Sequence, residues 1–238
     1  MSPEISPERH LAILNERVVS CRLCPRLVAH REEVARTKRR AYRGETYWGR
    51  PVPGFGDPRA GLVILGLAPA AHGANRTGRM FTGDRSGDFL YTRLHEAGFA
   101  SQPSSRHRGD GLTLGGAYIT ATCRCAPPGN KPLPVEIANC RPYLEAELDL
   151  LRPRAVLALG KIAFDGYLKL LLDSGRIASR RSYAFRHGAS YALPNGLPRL
   201  FAVYHPSQQN TQTGRVTPAM YRREFAAIRR FLVGKRAR

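Results

Sequence analysis

Apolar residues along this chain alternate between short solid runs and longer, spaced stripes. Four solid runs stand out: Gly61–Leu67 (GLVILGL), Ala117–Thr122 (AYITAT), Arg154–Gly160 (RAVLALG) and Leu200–Tyr204 (LFAVY). Each is short for a helix and largely apolar rather than alternating. That is the pattern of strands buried on both faces, as a parallel sheet requires. Helical spacing takes over between the runs. Gly87–Phe99 puts Phe89, Leu90, Leu94 and Phe99 on one stripe, and Pro134–Leu151 carries Ile137, Leu144, Leu148 and Leu151. Lys161–Leu172 follows the third run, and Thr217–Val233 sets Tyr221, Phe225, Ile228 and Leu232 on one face with its arginines largely off it. A first helix is expected over Pro7–Val19.

Strands alternating with helices predict a three-layer α/β/α sandwich around a four-stranded parallel sheet, because right-handed crossovers cover both faces. One domain over residues 1–238 is expected, with residues 1–58 as an N-terminal segment. Tyr47–Pro58 is too rich in proline and glycine for regular structure, and 175–198 leaves room for a small hairpin. No internal repeat is visible.

Two polar segments lie directly behind predicted strands: Gly66–Asp84 (GLAPAAHGANRTGRMFTGD) and His205–Arg215 (HPSQQNTQTGR). In a parallel sheet both open at the carboxyl edge, where open α/β sheets bind ligands. Neither has the glycine spacing of a phosphate loop or a dinucleotide fingerprint. The chain holds 38 Lys plus Arg against 18 Asp plus Glu, a formal charge of +20, and 33 of those cations are arginine. Such a surplus points to a nucleic-acid partner, with arginine forks suited to phosphate oxygens. No apolar run approaches the roughly 18–20 residues of a membrane span. The opening MSPEISPERHLAILNERV carries acids and no apolar centre, unlike an export signal. A cytoplasmic monomer is the expectation.

Five cysteines are present. Without export, disulfides are not expected. Cys21-x-x-Cys24 together with Cys125 and Cys140 gives two pairs of thiols, and the spacing fits zinc and an iron–sulfur cluster equally well. Four protein ligands leave no open position, so the metal reads as structural. It would tie the N-terminal segment to the 125–140 stretch, where Cys125-Ala-Pro-Pro-Gly-Asn130 cannot form a regular element. Cys123 reads as a small buried side chain.

Together, GLAPAAHGANRTGRMFTGD at 66–84, the CAPPGN at 125–130 with the four cysteines, and HPSQQNTQTGR at 205–215 resemble the uracil-DNA glycosylase superfamily, specifically its family 5 branch. The resemblance spans nearly the whole chain from Cys21 to the last helix. It implies a DNA-repair hydrolase that cleaves the N-glycosidic bond of uracil, and also of deaminated purines such as hypoxanthine and xanthine, leaving an abasic site. It further implies a four-iron, four-sulfur cluster on Cys21, Cys24, Cys125 and Cys140. Most of the superfamily carries a carboxylate or amide two residues after the first glycine of the first motif, where it positions water. Here that residue is Ala68, as in the family 5 branch, and the hydrolytic step is left without an obvious base.

A base within a duplex must be everted before it can be hydrolysed. On this resemblance Phe81 is the stacking ring, and Gly66, Ala68, Asn130 and Asn210 are the base-binding candidates. His205 is the donor to the departing base, a role that a neutral imidazole can fill through its N–H, so no raised pKa is required. Water-positioning candidates are His72, Asn75 and Asp84. The first two are weighted ahead of Asp84, which also reads as a helix cap. Gln208 and Gln209 are candidates for the wedge that fills the vacated stack. Arg76, Arg79, Arg85 and Arg215, with the Arg36–Arg43 cluster, are the expected phosphate contacts. The small Ala68, Ala70 and Ala71 would leave room for a purine. The rival reading is a non-catalytic nucleic-acid-binding module stapled by zinc, which offers no reason for two motif loops at one sheet edge.

Overall fold

The computed structural model describes residues 6–234, and in it the four apolar runs pair side by side as the centre of one sheet. The chain begins with α1 (Pro7–Val19) and α2 (Pro25–Thr37), followed by β1 (Phe55–Gly56), β2 (Leu62–Gly66), α3 (Ala74–Thr77) and α4 (Arg85–Glu96). Then come β3 (Ala117–Ala121), α5 (Pro134–Leu151), β4 (Ala155–Leu159) and α6 (Lys161–Asp173). β5 (Ala189–Tyr191), β6 (Arg199–Val203), α7 (Gln208–Gln212) and α8 (Pro218–Val233) complete it.

The strand order is β1-β3-β2-β4-β6-β5. β3, β2, β4 and β6 are parallel, with Leu62 opposite both Ala117 and Ala155. The outer strands, β1 on β3 and β5 on β6, run antiparallel. The sheet is therefore six-stranded and mixed rather than four-stranded and parallel. The physical reason is length: β1 has two residues and β5 three, all half-buried, so neither leaves an apolar run in the sequence. Both cover an edge of the parallel strands that would otherwise expose unpaired N–H and C=O groups.

Alternation within the strands splits the core into two layers. Val63, Leu65, Val156 and Leu200 face α5 and α6, packing against Leu144, Phe164 and Leu168. Leu62, Ile64, Leu157 and Phe201 face α4 and α8, packing against Leu90, Leu94, Phe225 and Ile228. The three-layer α/β/α sandwich thus follows from strands apolar on both faces.

Two further differences bear on the site. α2 has no stripe that a pattern could reveal: its buried residues are only Leu27, Val28 and Arg31. α4 starts two residues before Gly87, because the Asp84 side chain caps it by accepting the Gly87 N–H at 2.9 Å. The first five residues of the opening segment discussed above lie outside the described residues. No described helix is long and apolar enough to cross a membrane.

Candidate functional site

Parallel strands bring their carboxyl ends to one edge, and a cavity of about 400 Å³ opens there. Its walls include Gly66 at the end of β2 and Ala68 just beyond it, Phe81 and Asp84 further along the same loop, Asn130 after β3, and His205 after β6. The volume lies within the roughly 300–1,000 Å³ of small-ligand sites. A larger open groove of about 880 Å³ lies against α1 and α2, but it is lined partly by charges already paired, such as Arg22 with Glu32.

Backbone constraints hold the two rings of the cavity. Phe81 adopts a left-handed φ of 52°, which a non-glycine residue holds only under constraint from its surroundings. A Cβ on Gly66 would stand 3.1 Å from the Phe81 ring, so glycine lets the ring lie against the strand end. On the opposite wall, Gly160 (φ +92°) admits His205, whose Cβ would be 3.2 Å from any side chain there. The Phe81 and His205 rings stand 6.0 Å apart at 34°.

Burial pushes the His205 imidazole down to about 4, leaving it neutral at pH 7. Its carbonyl accepts from Asn210 Nδ2 at 2.8 Å, so Asn210 supports the histidine from behind and does not line the cavity. Asp84 is the carboxylate on the wall. Burial raises its pKa, while the N–H groups of Gly87 and Ser86 and the Arg76 charge pull it back. Asn130, exposed at the rim, sits at the end of the loop that begins with Cys125.

His72 and Asn75 are not on this wall. His72 Nδ1 hydrogen-bonds with Tyr47 Oη at 3.0 Å. Asn75 is fully buried, and its amide nitrogen donates to the carbonyls of Arg31 and Ala71. Asn75 lies in the short α3 and His72 two residues before it begins. Two expected phosphate contacts are also turned inward. Arg76 Nε donates to the His72 carbonyl at 2.8 Å and Nη2 to that of Gly83 at 2.7 Å, and its guanidinium pairs with Glu45. Arg79 is 3% exposed and forms a two-pronged pair with Asp110 at 2.8 and 2.6 Å. Arg85 and Arg215 are exposed, the latter 4.7 Å over the Tyr204 ring, and Gln208 and Gln209 are exposed on α7. Sequence reading passed over Lys161 and Ile162, which line the cavity directly after β4. The carboxyl-edge rule applied to that third strand would have found them.

Cys21, Cys24, Cys125 and Cys140 line one small cavity, together with Arg124 and Asn139; Cys123 packs nearby but is not on its wall. Among the described residues, no group of three or more His, Cys, Asp or Glu side chains closes on a single ion position. Arg31 Nη1 donates to Cys125 Sγ at 2.9 Å, and Asn139 Nδ2 to Cys24 Sγ at 3.4 Å. Arg124 pairs with Glu147, yet its buried Nε and Nη1 find no protein partner, nor does Arg31 Nε. Unpartnered N–H groups this deep are costly unless something absent from the polypeptide accepts them. Donors and thiols together therefore fit an anionic, sulfur-rich group. Ala68 packs against the cysteine cluster, so the same residue touches the large cavity and the thiol layer.

Comparison with known proteins agrees with this geometry. The family profile described as the uracil DNA glycosylase superfamily matches residues 53–229. A protein of Thermus thermophilus named type-5 uracil-DNA glycosylase is 56% identical over 207 residues, covering 87% of this chain and 91% of its own. A Mycobacterium bovis protein of the same name is 55% identical over 209 residues, covering 87% of this chain and 76% of its own. One from Pyrobaculum aerophilum, again so named, is 45% identical over 201 residues, covering 84% of each.

Proposed function

The chain belongs to the uracil-DNA glycosylase superfamily, and from that premise we propose that it hydrolyses the N-glycosidic bond of uracil in DNA, leaving an abasic site. The observation that carries the proposal is the pairing of Phe81 with a neutral, half-buried His205 on one cavity at the sheet's carboxyl edge. Everting a nucleotide costs a few kcal/mol of pairing and stacking. Stacking of the base on Phe81 recovers roughly 1–3 kcal/mol of that.

As the glycosidic bond breaks, negative charge grows on the departing base and positive charge on the sugar. His205 N–H meets the base oxygen where that charge develops. It is the cavity group suited to this: already desolvated, uncharged, and with no protein hydrogen bond to its ring nitrogens among the described residues. Water is held by Asp84 and Asn130, the carboxylate and amide of the wall. This assigns the role to Asp84 over His72 and Asn75, neither of which lines the cavity. A dissociative path asks little of that base, consistent with Ala68 where most of the superfamily has a polar residue.

Ala68 and Ala70 on the wall leave space for a purine, and on that ground hypoxanthine and xanthine belong among the substrates. Arg85, Arg215 and the exposed Arg39, Arg40 and Arg43 meet phosphates, and Gln208 and Gln209 enter the stack. The cysteines hold a four-iron, four-sulfur cluster. Its support is the unpartnered N–H set around the thiols, because bridging sulfides supply acceptors that a lone zinc ion lacks. The four thiols line one small cavity, as a group held by all of them requires. When bound, such a group fixes the Cys125 loop and hence Asn130. A zinc-stapled binding module without catalysis gives no reason for the cavity, and similarity to glycosylases over most of the chain counts against it.

The test is incubation with duplexes carrying a single uracil, hypoxanthine or xanthine, followed by alkaline strand scission. Scission at uracil supports the activity, and its absence refutes it. Scission at uracil alone would remove the wider substrate range and leave the rest.

A further inference from the structure

We propose that the loop of residues 105–110 is a second grip on the DNA backbone, held in fixed register with the base cavity by the Arg79–Asp110 pair. The proposal rests on the glycosylase reading and extends it to a surface that neither sequence motif contains.

The anchor is built like a hub. Asp110 accepts both prongs of the Arg79 guanidinium at 2.8 and 2.6 Å, then the backbone N–H groups of Arg106 at 2.7 Å and Leu112 at 3.1 Å. Arg79 also donates to Ser105 Oγ at 2.9 Å and Thr82 Oγ1 at 3.0 Å, and the Gly83 N–H reaches the Ser105 carbonyl at 3.3 Å. Burial alone would raise the Asp110 carboxyl. The Arg79 hydrogen bonds and the backbone donors outweigh it and hold the carboxyl well below the usual range. Arg79 lies two residues before Phe81, so the loop is tied to the segment that carries the stacking ring.

What the hub presents outward is cationic. Arg106, His107 and Arg108 are consecutive and exposed, and none is ion-paired among the described residues. The Arg108 guanidinium lies 4.4 Å over the Trp48 ring, and Arg50, also exposed, stands 5.8 Å from the same ring. Trp48 is itself fixed: its backbone N–H donates to the Arg76 carbonyl at 2.8 Å and its indole N–H to that of Pro51 at 3.0 Å. A guanidinium laid flat on an indole keeps its N–H edge free and loses less freedom when it meets a phosphate. Of these groups, Trp48, Arg50 and Arg108 line the open 880 Å³ groove, while Arg106 and His107 stand exposed beside them on the loop. The Gly83 N–H bond to the Ser105 carbonyl joins the start of the loop to the chain two residues beyond Phe81, which lines the cavity. The arginine expected to touch DNA, Arg79, thus acts as a positioning residue for arginines that do.

The experiment is the salt dependence of binding to a uracil-free duplex, read by fluorescence anisotropy between 50 and 200 mM salt. Each phosphate contact contributes about 0.9 to the slope of log affinity against log salt. The double variant Arg106→Ala/Arg108→Ala should lose about 2 from the slope's magnitude. The charge-matched control Arg59→Ala/Arg152→Gln, altered before the amino ends of β2 and β4, should retain the wild-type slope. Asp110→Asn, with folding checked by circular dichroism, should lose slope although both loop arginines remain. An unchanged slope in the double variant, or an equal loss in the control, overturns the proposal; a full slope in Asp110→Asn overturns the anchoring. Binding here is read without catalysis. An inactive wild type would therefore sink the excision reading alone, while an active enzyme with an unchanged slope would sink the loop alone.

Discussion

Replacing His205 with alanine removes the donor that the account places at the departing base, and the structure sets the size and pH signature of the loss. The imidazole is half-buried 6.0 Å from Phe81, and its nitrogens have no protein partner among the described residues. A preorganised donor of this kind contributes roughly 3–4 kcal/mol, a factor of about 10²–10³ in rate. Single-turnover excision of uracil by His205→Ala should fall by that factor. Because the folded imidazole titrates at about 4, the wild-type rate should pass without inflection through 6.5, the ordinary histidine value, and fall only as pH nears 4. A histidine that worked as a cation would instead give a rate rising as pH drops through 7 to 6. Stability carries the same signature. The folded state holds this proton less tightly than the unfolded one, so stability is fully present above 6.5 and is lost as pH falls towards 4. A fall from 6.5 to about 4 corresponds to about 3 kcal/mol. Urea denaturation of His205→Ala between pH 7 and 4.5 should lack that component. A near-wild-type rate in His205→Ala, or a wild-type inflection near 6.5, would refute the reasoning.

Other perturbations separate roles that overlap in the structure. Asp84→Asn keeps a competent helix cap, so its melting temperature should hold. Its single-turnover rate should fall about tenfold, short of the roughly 10²–10⁴ of a strict general base; an unchanged rate would remove Asp84 from water positioning. Arg79→Met should cost about 3–5 kcal/mol in urea denaturation, because it leaves Asp110 buried without its cation. A variant of unaltered stability would contradict the hub. The protein as isolated should be brown and contain iron and acid-labile sulfide, and Cys140→Ala should lose colour, iron and thermal stability together. A colourless wild type with one equivalent of zinc would overturn the cluster.

How legible the chain was depends on the range of the interaction concerned. Residues 62–66 and 155–159 declared themselves as parallel strands because burial on both faces needs only local sequence. β1 and β5 did not, since two or three half-buried residues leave no pattern. α2 was hidden because one of its few buried positions is Arg31, whose partners are the carbonyl of Cys21 and the sulfur of Cys125. The two motif loops were rightly placed at one edge, which brought Gly66, Ala68, Phe81, Asp84, Asn130 and His205 to a common cavity. Arg76 and Arg79 were misplaced for a physical reason: a loop arginine does not disclose that Glu45 or Asp110, 31 residues away in each case, will draw it inward. His72 and Asn75 lie off the cavity wall, and the four-residue helix Ala74–Thr77 beside them is too short to leave a pattern in the sequence.

The most direct measurement of the central claim is the fate of the base itself. Stoichiometric enzyme is mixed with a duplex bearing one uracil, and free uracil and strand mass are followed by mass spectrometry. The account predicts that uracil appears as free base in step with an intact, unbroken abasic strand, and that Phe81→Ala and His205→Ala slow both together. Uracil that stays attached to the strand, or is released equally fast by both variants, would contradict it.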